Sequence, residues 1–391
     1  MLKEITFVTQ YFAPSWGYGG PPKVLYTFAK ELVKLGIKIN VITTDVLDEG
    51  RNKILYEVLD KIEIFRSRTL SNYAAYKTKL IYAPNILDHS KQIIDKSDLV
   101  LFSDIRAIIN WQIYPYVIKH KIPYGIFAFG EIPHGYGIKS IIKKLFDEIW
   151  VDNFVKNAKW LFVQTEHEKY MYKSVFGIVK ERIDLLPLPV ENLPNKPSQL
   201  LIKEFKNKWD IKSDDKVIIF VGRINVLKGI DILLNSVENL LKKDKRLKLV
   251  IVGRDDGYLK TLLSSISPLL KKQIIYIGPL YNKELEIAFS VSACFVITPR
   301  IYEETSMASL QALASGLPVV VTKEAEIPYL MDYQAGYIVE NNTHKVEEAV
   351  KKIIYSSDMG KNFVKSEAIK CIDDHFSAEK VTKQLLQLIS K

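Results

Sequence analysis

Val217-Ile-Ile-Phe-Val221 runs without a polar residue and passes straight into Gly222-Arg-Ile-Asn-Val-Leu-Lys-Gly229. Five apolar residues ending at a glycine turn read as a strand buried on both faces, with a loop at its carboxyl end. Leu249-Val-Ile-Val252 repeats the pattern, and Ile5-Thr-Phe-Val-Thr9 shows it at the front of the chain. Working outward, strands are predicted near 4–9, 38–43, 62–66, 98–103, 124–128 and 160–164. A second series follows near 216–221, 247–252, 274–277, 293–298, 318–321 and 336–339. Amphipathic stretches of helix length separate them. Val24, Leu25, Phe28, Leu32 and Val33 share one face of a helix opened by Pro21-Pro22 and stopped by Gly36. Pro in the first turn and Gly just past the end are the expected punctuation. Alternation on this scale predicts α/β architecture, with two Rossmann-like doubly wound domains.

The length of 391 residues exceeds what one hydrophobic core ordinarily supports. Pro187, Pro189, Pro194 and Pro197, followed by the polar Lys212-Ser-Asp-Asp-Lys216, mark a linker. The predicted division is 1–189 for a first domain, 190–375 for a second, and 376–391 for a terminal helix packing back on the first. The two domains are expected to face each other across a cleft, because open α/β sheets bind ligands at the carboxyl ends of their strands.

Hydrophobic residues at 48% and charged residues at 26% exclude a disordered or collagen-like chain. Cys294 and Cys371 allow one disulfide at most, which favours a reducing compartment. The strand-like run so soon after Met1 speaks against a cleaved leader, and no apolar run reaches membrane-spanning length. A cytoplasmic protein is therefore expected. Lys and Arg number 55 against 45 Asp and Glu, a net charge of +10, divided as 26 − 20 = +6 up to residue 190 and 29 − 25 = +4 beyond. Such a spread suits an anionic partner, a nucleotide or a phospholipid surface. No dense basic stripe, zinc finger or RNA-recognition signature argues for nucleic acid.

Four constellations follow predicted strands. Gly17-Tyr-Gly-Gly-Pro-Pro22 places Gly19 and Gly20 where backbone amides at a helix start can approach a ligand, or where the chain merely reverses. It is not the dinucleotide fingerprint, which disfavours a dehydrogenase. In Gly222–Gly229, Arg223 and Lys228 lie five positions apart on a strand-to-helix turn and can converge on one pyrophosphate. The bland alternative is two solvated surface cations.

The third runs Ile297-Thr-Pro-Arg-Ile-Tyr-Glu-Glu-Thr-Ser-Met-Ala-Ser-Leu-Gln-Ala-Leu-Ala-Ser-Gly-Leu-Pro-Val319. A strand ends at Thr298 and a helix is predicted to begin near Thr305, leaving the amides of Thr305, Ser306 and Met307 free for a polar ligand. Glu303 sits before that helix, and Gln311, eight positions on, shares nearly its face. Otherwise Glu303 or Glu304 simply caps the helix. The fourth is Phe127-Ala-Phe-Gly-Glu-Ile-Pro-His-Gly135, where Glu131 and His134 share a strand-end loop. His134 is a candidate acid or base, or else a structural histidine.

The order of strand, Gly-Gly loop, G-R-x4-K-G and P-x3-E-x7-Q-A-x-A-x-G-x-P resembles family 4 of the retaining glycosyltransferases, which have the GT-B fold. The likeness spans nearly the whole chain and is strongest from 216 to 340. The resemblance implies that Arg223 and Lys228 hold the diphosphate of a nucleotide-sugar donor, UDP- or GDP-linked. It implies that Glu303 binds hydroxyls of the transferred sugar, helped by the backbone at Thr305, Ser306 and Met307. The loop Gly278-Pro-Leu280 would touch the base, with Leu280 as a donor contact, and Gly19 and Gly20 would approach the phosphates or acceptor.

Two positions depart from the family. Gln311 stands where the family has a second Glu for the ribose hydroxyls, which weakens nucleotide binding without abolishing it. Phe129 stands where many members have His or Arg, which puts the acceptor side in question. The implied activity is transfer of a hexosyl group to a glycan or lipid-linked acceptor, with retention and without a metal. No Asp-x-Asp motif or His/Cys cluster at ligand spacing appears, and no cofactor is expected. The alternative is a catalytically silent GT-B binding or scaffold protein.

Tyr136 to Trp150 places Ile138, Ile141, Ile142, Leu145, Phe146 and Ile149 on one helical face, with Lys139, Lys143 and Lys144 elsewhere. That face either packs on the sheet or lies on an anionic membrane, putting the protein on the inner surface. Tyr73 to Tyr82 is a second candidate for acceptor contact.

Overall fold

The computed structural model describes residues 2–47, 50–71, 75, 81–133, 138–191 and 197–390. Each strand expected from the apolar runs forms. In the first half these are β1 (Glu4–Val8), β2 (Lys38–Thr44), β3 (Tyr56–Leu59), β4 (Ile62–Ser67), β5 (Leu99–Ser103), β6 (Tyr124–Phe127), β7 (Trp160–Val163) and β8 (Ile183–Leu185). They make one sheet in the order β3-β4-β2-β1-β5-β6-β7-β8. Every neighbouring pair is parallel except β3 with β4.

The strands β3 and β8 were not legible as apolar runs. β3 is an edge strand whose residues are half-buried or exposed, so it alternates instead of reading as a continuous core segment. β8 has three residues, too few for a period to register.

The second half contains β9 (Lys216–Val221), β10 (Leu247–Val252), β11 (Ile274–Gly278), β12 (Cys294–Ile297), β13 (Val319–Thr322) and β14 (Gly336–Val339). All are parallel, in the order β11-β10-β9-β12-β13-β14. Val217 to Phe220, Leu249 to Val252 and Phe295 to Ile297 are fully or almost fully buried, as strands covered by helices on both faces must be.

The chain divides into two compact units, Met1–Pro189 with Ala378–Lys391, and Val190–Ser377. Val190 pairs with Ser377 as an isolated parallel bridge, so the second unit begins and ends at one place. The terminal helix Ala378–Ile389 belongs to the first unit and buries Val381, Leu385 and Ile389. Trp160 Nε1 donates to Leu388 O at 3.1 Å and Gln384 Nε2 donates to Leu185 O at 3.0 Å, tying the helix to β7 and β8. It starts two residues later than expected because Ser377 is still extended, with φ −53° and ψ 129°.

In both sheets the winding reverses once. The reversal falls between β1 and β5 in the first unit and between β9 and β12 in the second. Loops after those strands diverge to opposite faces and leave a crevice at the strand ends, the usual ligand position in such folds.

Candidate functional site

The second unit builds its site at that reversal. After β9, Gly222 and Arg223 lead to Asn225, whose Oδ1 accepts from Lys228 N at 3.2 Å and caps the single turn Val226–Lys228. Gly229 then takes φ +62° and starts the helix Ile230–Lys243. A Cβ on Gly229 would lie 1.8 Å from Thr298 O. Only glycine lets the chain leaving β9 pass so near the end of β12.

The loop after β12 is fastened to that turn residue by residue. Thr298 Oγ1 donates to Gly229 O at 2.8 Å, Arg300 N to Leu227 O at 2.8 Å, and Arg300 Nε to Val226 O at 3.1 Å. Arg300 also pairs with Asp231. Further along, Glu303 N donates to Glu324 O at 2.8 Å, anchoring the loop to the turn after β13. Asn341 Nδ2, after β14, holds Pro299 O at 2.7 Å. Fixed at both sides, Glu303 meets Lys228: the ammonium donates to Glu303 Oε2, while Glu303 Oε1 is buried without a hydrogen-bond partner. Glu303 therefore does not cap a helix.

That helix begins at Met307 instead of Thr305. Glu304 is buried in a left-handed conformation, φ +59°, and Ser306 is extended with ψ 124°, so the chain cannot enter the helix sooner. Ser306 makes no side-chain cap, so the partial positive charge of the first helical amides is not offset by a capping side chain there. Thr305 is buried, its Oγ1 donating to Glu326 O at 3.3 Å. Gln311 is half-buried in the second turn of the helix.

Arg223 points to the opposite neighbour. Its guanidinium donates to Asp256 Oδ2 at 3.3 Å, on the loop after β10. One strand further, Gly278 takes φ +87° at the end of β11 and its carbonyl accepts from Gly253 N at 2.9 Å; Leu280 is half-buried beyond it. Burial, with Asp255 adding to it, pushes the hydroxyl of Tyr276 up, and that hydroxyl donates to Gly253 O at 3.1 Å.

Asn225, Arg300, Asp256 and Arg254 escaped the sequence reading. Asn225 carried a local signal, an Asn opening a turn. Arg300 and Asp256 act through partners that only the sheet order brings near, and Arg254 pairs with Asp256 two residues on.

In the first unit, Gly19 has φ +106° and caps the helix Gly20–Lys34, in which Gly20 is the first residue. A side chain at Gly19 would meet nothing within 4 Å, so its backbone angle is the reason for glycine. The loop after β6 is held from two sides. Arg106 donates to Glu131 O, to Ile132 O at 2.9 Å, and to Asp147 through two nitrogens at 2.8 and 2.6 Å. Glu168 Oε1 accepts from Gly130 N at 2.6 Å. Phe129 is left-handed, φ +49°, and stacks on Phe127. His134 lies outside the described residues, as does most of Tyr73 to Tyr82.

The helix Ile138–Phe146 and the wider turn Asp147–Val151 overturn one expectation. Ile141, Ile142, Leu145, Ile149 and Trp150 are exposed, Ile141 by 68%. The segment is seated by Phe146 and Trp150 against Trp111 and by the Arg106–Asp147 pair, so the expected packing of its apolar face on the sheet does not occur.

Solved structures share the architecture. HepE from Anabaena, in complex with UDP and glucose, superposes with a TM-score of 0.76 at 16% identity, each chain covered in full. The fold is therefore GT-B. Residues 202–368 match the model of the family described as glycosyl transferases group 1. An uncharacterized glycosyltransferase of Methanocaldococcus jannaschii is 25% identical over 189 residues, 47% of each chain. Another from the same organism is 27% identical over 295 residues, 71% of this chain and 70% of its own. The match thus spans about half the length of the first relative.

Proposed function

We propose that the protein is a retaining, metal-independent glycosyltransferase of family 4 type that moves a hexosyl group from a nucleoside-diphosphate sugar to a glycan or lipid-linked acceptor. The observation that carries this reading is the meeting of Lys228 with Glu303 at the reversal of the sheet, with Arg223 on the same turn. Lys228 and Arg223 stabilise the diphosphate as negative charge grows on it during departure. The amides before Met307 add fixed positive charge, and Glu303 receives hydroxyls of the sugar through its unpartnered Oε1. The acceptor attacks from the leaving-group side, and a phosphate oxygen takes its proton as the glycosidic bond forms. A UDP donor is favoured, since HepE is described in complex with UDP.

No described helix is long and apolar enough to cross a membrane. The exposed apolar face from Ile141 to Trp150, with Lys143 and Lys144 beside it, supports peripheral attachment to an anionic inner surface, where a lipid-linked acceptor is at hand.

Isothermal titration with UDP-, GDP- and ADP-sugars, followed by an assay of donor turnover, tests the reading. Micromolar to millimolar binding of one donor with slow hydrolysis is expected. Failure to bind any donor overturns it. Binding without turnover under any acceptor favours the silent, donor-binding alternative that Gln311 and Phe129 suggest.

A further inference from the structure

Asp256 lies on the loop after β10, outside every motif read from the sequence. Its Oδ2 accepts from Arg223 at 3.3 Å and from Asn225 Nδ2 at 3.2 Å, and its Oδ1 from Arg254 Nε at 3.1 Å. Asn225 is also the residue whose Oδ1 caps the turn bearing Lys228. One carboxylate therefore touches Arg223 directly and reaches the Lys228 turn through a single amide.

The carboxylate is itself held in place. Ile224 N donates to Arg254 O at 2.8 Å and Asp256 N to Ile224 O at 3.1 Å, continuing the parallel pairing of β9 and β10 beyond the strands. Gly253 allows the approach, since a Cβ there would lie 1.8 Å from Gly222 O. Asp255 Oδ1 closes the loop by accepting from the amides of Gly257, Tyr258 and Leu259.

Arg223 keeps 43% of its side chain exposed and Asp256 23%. An ion pair this open adds little to folding stability. Its geometric effect is larger, because a long side chain is ordered before any ligand arrives. A guanidinium has five N–H donors, so an anion can bind Arg223 without displacing Asp256.

We propose that Asp256 is a positioning residue: it aims Arg223, and through Asn225 the Lys228 turn, at the diphosphate of the donor. This rests on the donor-binding reading given above.

The test is titration of the full chain with UDP, GDP and ADP. Asp256→Ala should bind about tenfold more weakly than wild type. Asp256→Asn, whose amide oxygen can still accept from Arg223 and Asn225 but carries no charge and leaves Arg254 without its acceptor, should lose about threefold. Against an Arg223→Ala background, Asp256→Ala should cost clearly less than it does in wild type, because the part of its effect that runs through Arg223 is already lost. Melting temperatures should match wild type throughout.

Asp256→Ala that binds as wild type or more tightly overturns the proposal, as does a loss fully additive with Arg223→Ala or a lowered melting temperature. If Arg223→Ala weakens binding and Asp256→Ala does not, this inference fails and the donor reading stands. If wild type binds none of the three, both fail.

Discussion

Lys228 donates its ammonium hydrogen bond to the carboxylate of Glu303, 75 residues further along the chain. The pair exists because β9 and β12 are neighbours in the sheet although two strands separate them in sequence. Lys228→Ala and Glu303→Ala should each lower turnover on the order of 100-fold, the usual loss when one stabilising group at a reacting centre is removed. The double variant should lose far less than the product of the two, since residues in contact are not additive. Initial rates of nucleotide release from the donor would check this, and two independent full losses would show that the pair does not act together.

Gly229 and Gly36 separate two reasons for glycine. Both have positive φ, but only at Gly229 would a Cβ meet backbone, Thr298 O at 1.8 Å. Gly36→Ala should cost about 1–2 kcal/mol from backbone strain alone. Gly229→Ala should cost at least about 3 kcal/mol, because the strand-end loops must also move apart. Urea unfolding measures both, and equal losses would mean that the close approach is not rigid.

Gln311 offers a gain instead of a loss. If it faces the nucleotide as proposed, Gln311→Glu replaces a neutral acceptor with a charged one, and such bonds differ by about 1 kcal/mol. UDP should bind several-fold more tightly by calorimetry. Unchanged or weaker binding would place Gln311 away from the nucleotide.

The exposed face beginning at Ile141 makes its own prediction. Replacing Ile141, Ile142 and Leu145 with Ser should weaken flotation with anionic vesicles at least about tenfold and leave UDP affinity untouched, since each apolar side chain withdrawn from water contributes up to about 1.5–3 kcal/mol. Wild-type flotation that ignores the anionic lipid fraction would count against the membrane.

Both cysteines are free and buried. Burial pushes the Cys371 thiol up to about 12, with Asp374, Asp332 and Glu367 adding to it, and burial raises Cys294 further still. The reactive thiolate is therefore scarce in the folded protein. Alkylation should stay slow from pH 7 to 9 and become complete in guanidinium. A folded pKa above the unfolded one means that this contribution to stability is whole below about pH 8.5 and is lost as pH climbs towards the folded value. Fast labelling of the folded protein at pH 8 would contradict the burial.

The twelve strands read from apolar runs were legible because burial on both faces leaves a local imprint, a block of Val, Ile, Leu and Phe ending at a turn. β3 left none, being a half-exposed antiparallel edge. Around the site, Gly222, Arg223, Lys228, Gly229 and Glu303 stood out by type and spacing. Met307 as the true helix start did not, because the left-handed Glu304 that delays it has no signature in its side chain.

The amino-acid order alone determined where strands begin, where the chain must turn and which loops carry the charged residues, since periodicity and glycine act over a few positions. The tertiary structure decided who meets whom. Glu303 finds Lys228, and Arg223 finds Asp256, only when β12 and β10 settle on opposite sides of β9. It also decided that Ile141 and its neighbours stay outside, because the wide turn after Phe146 spends its anchoring contacts on Trp111 and Arg106. Sheet order is a global minimum over many long-range contacts, and no short window of sequence contains it.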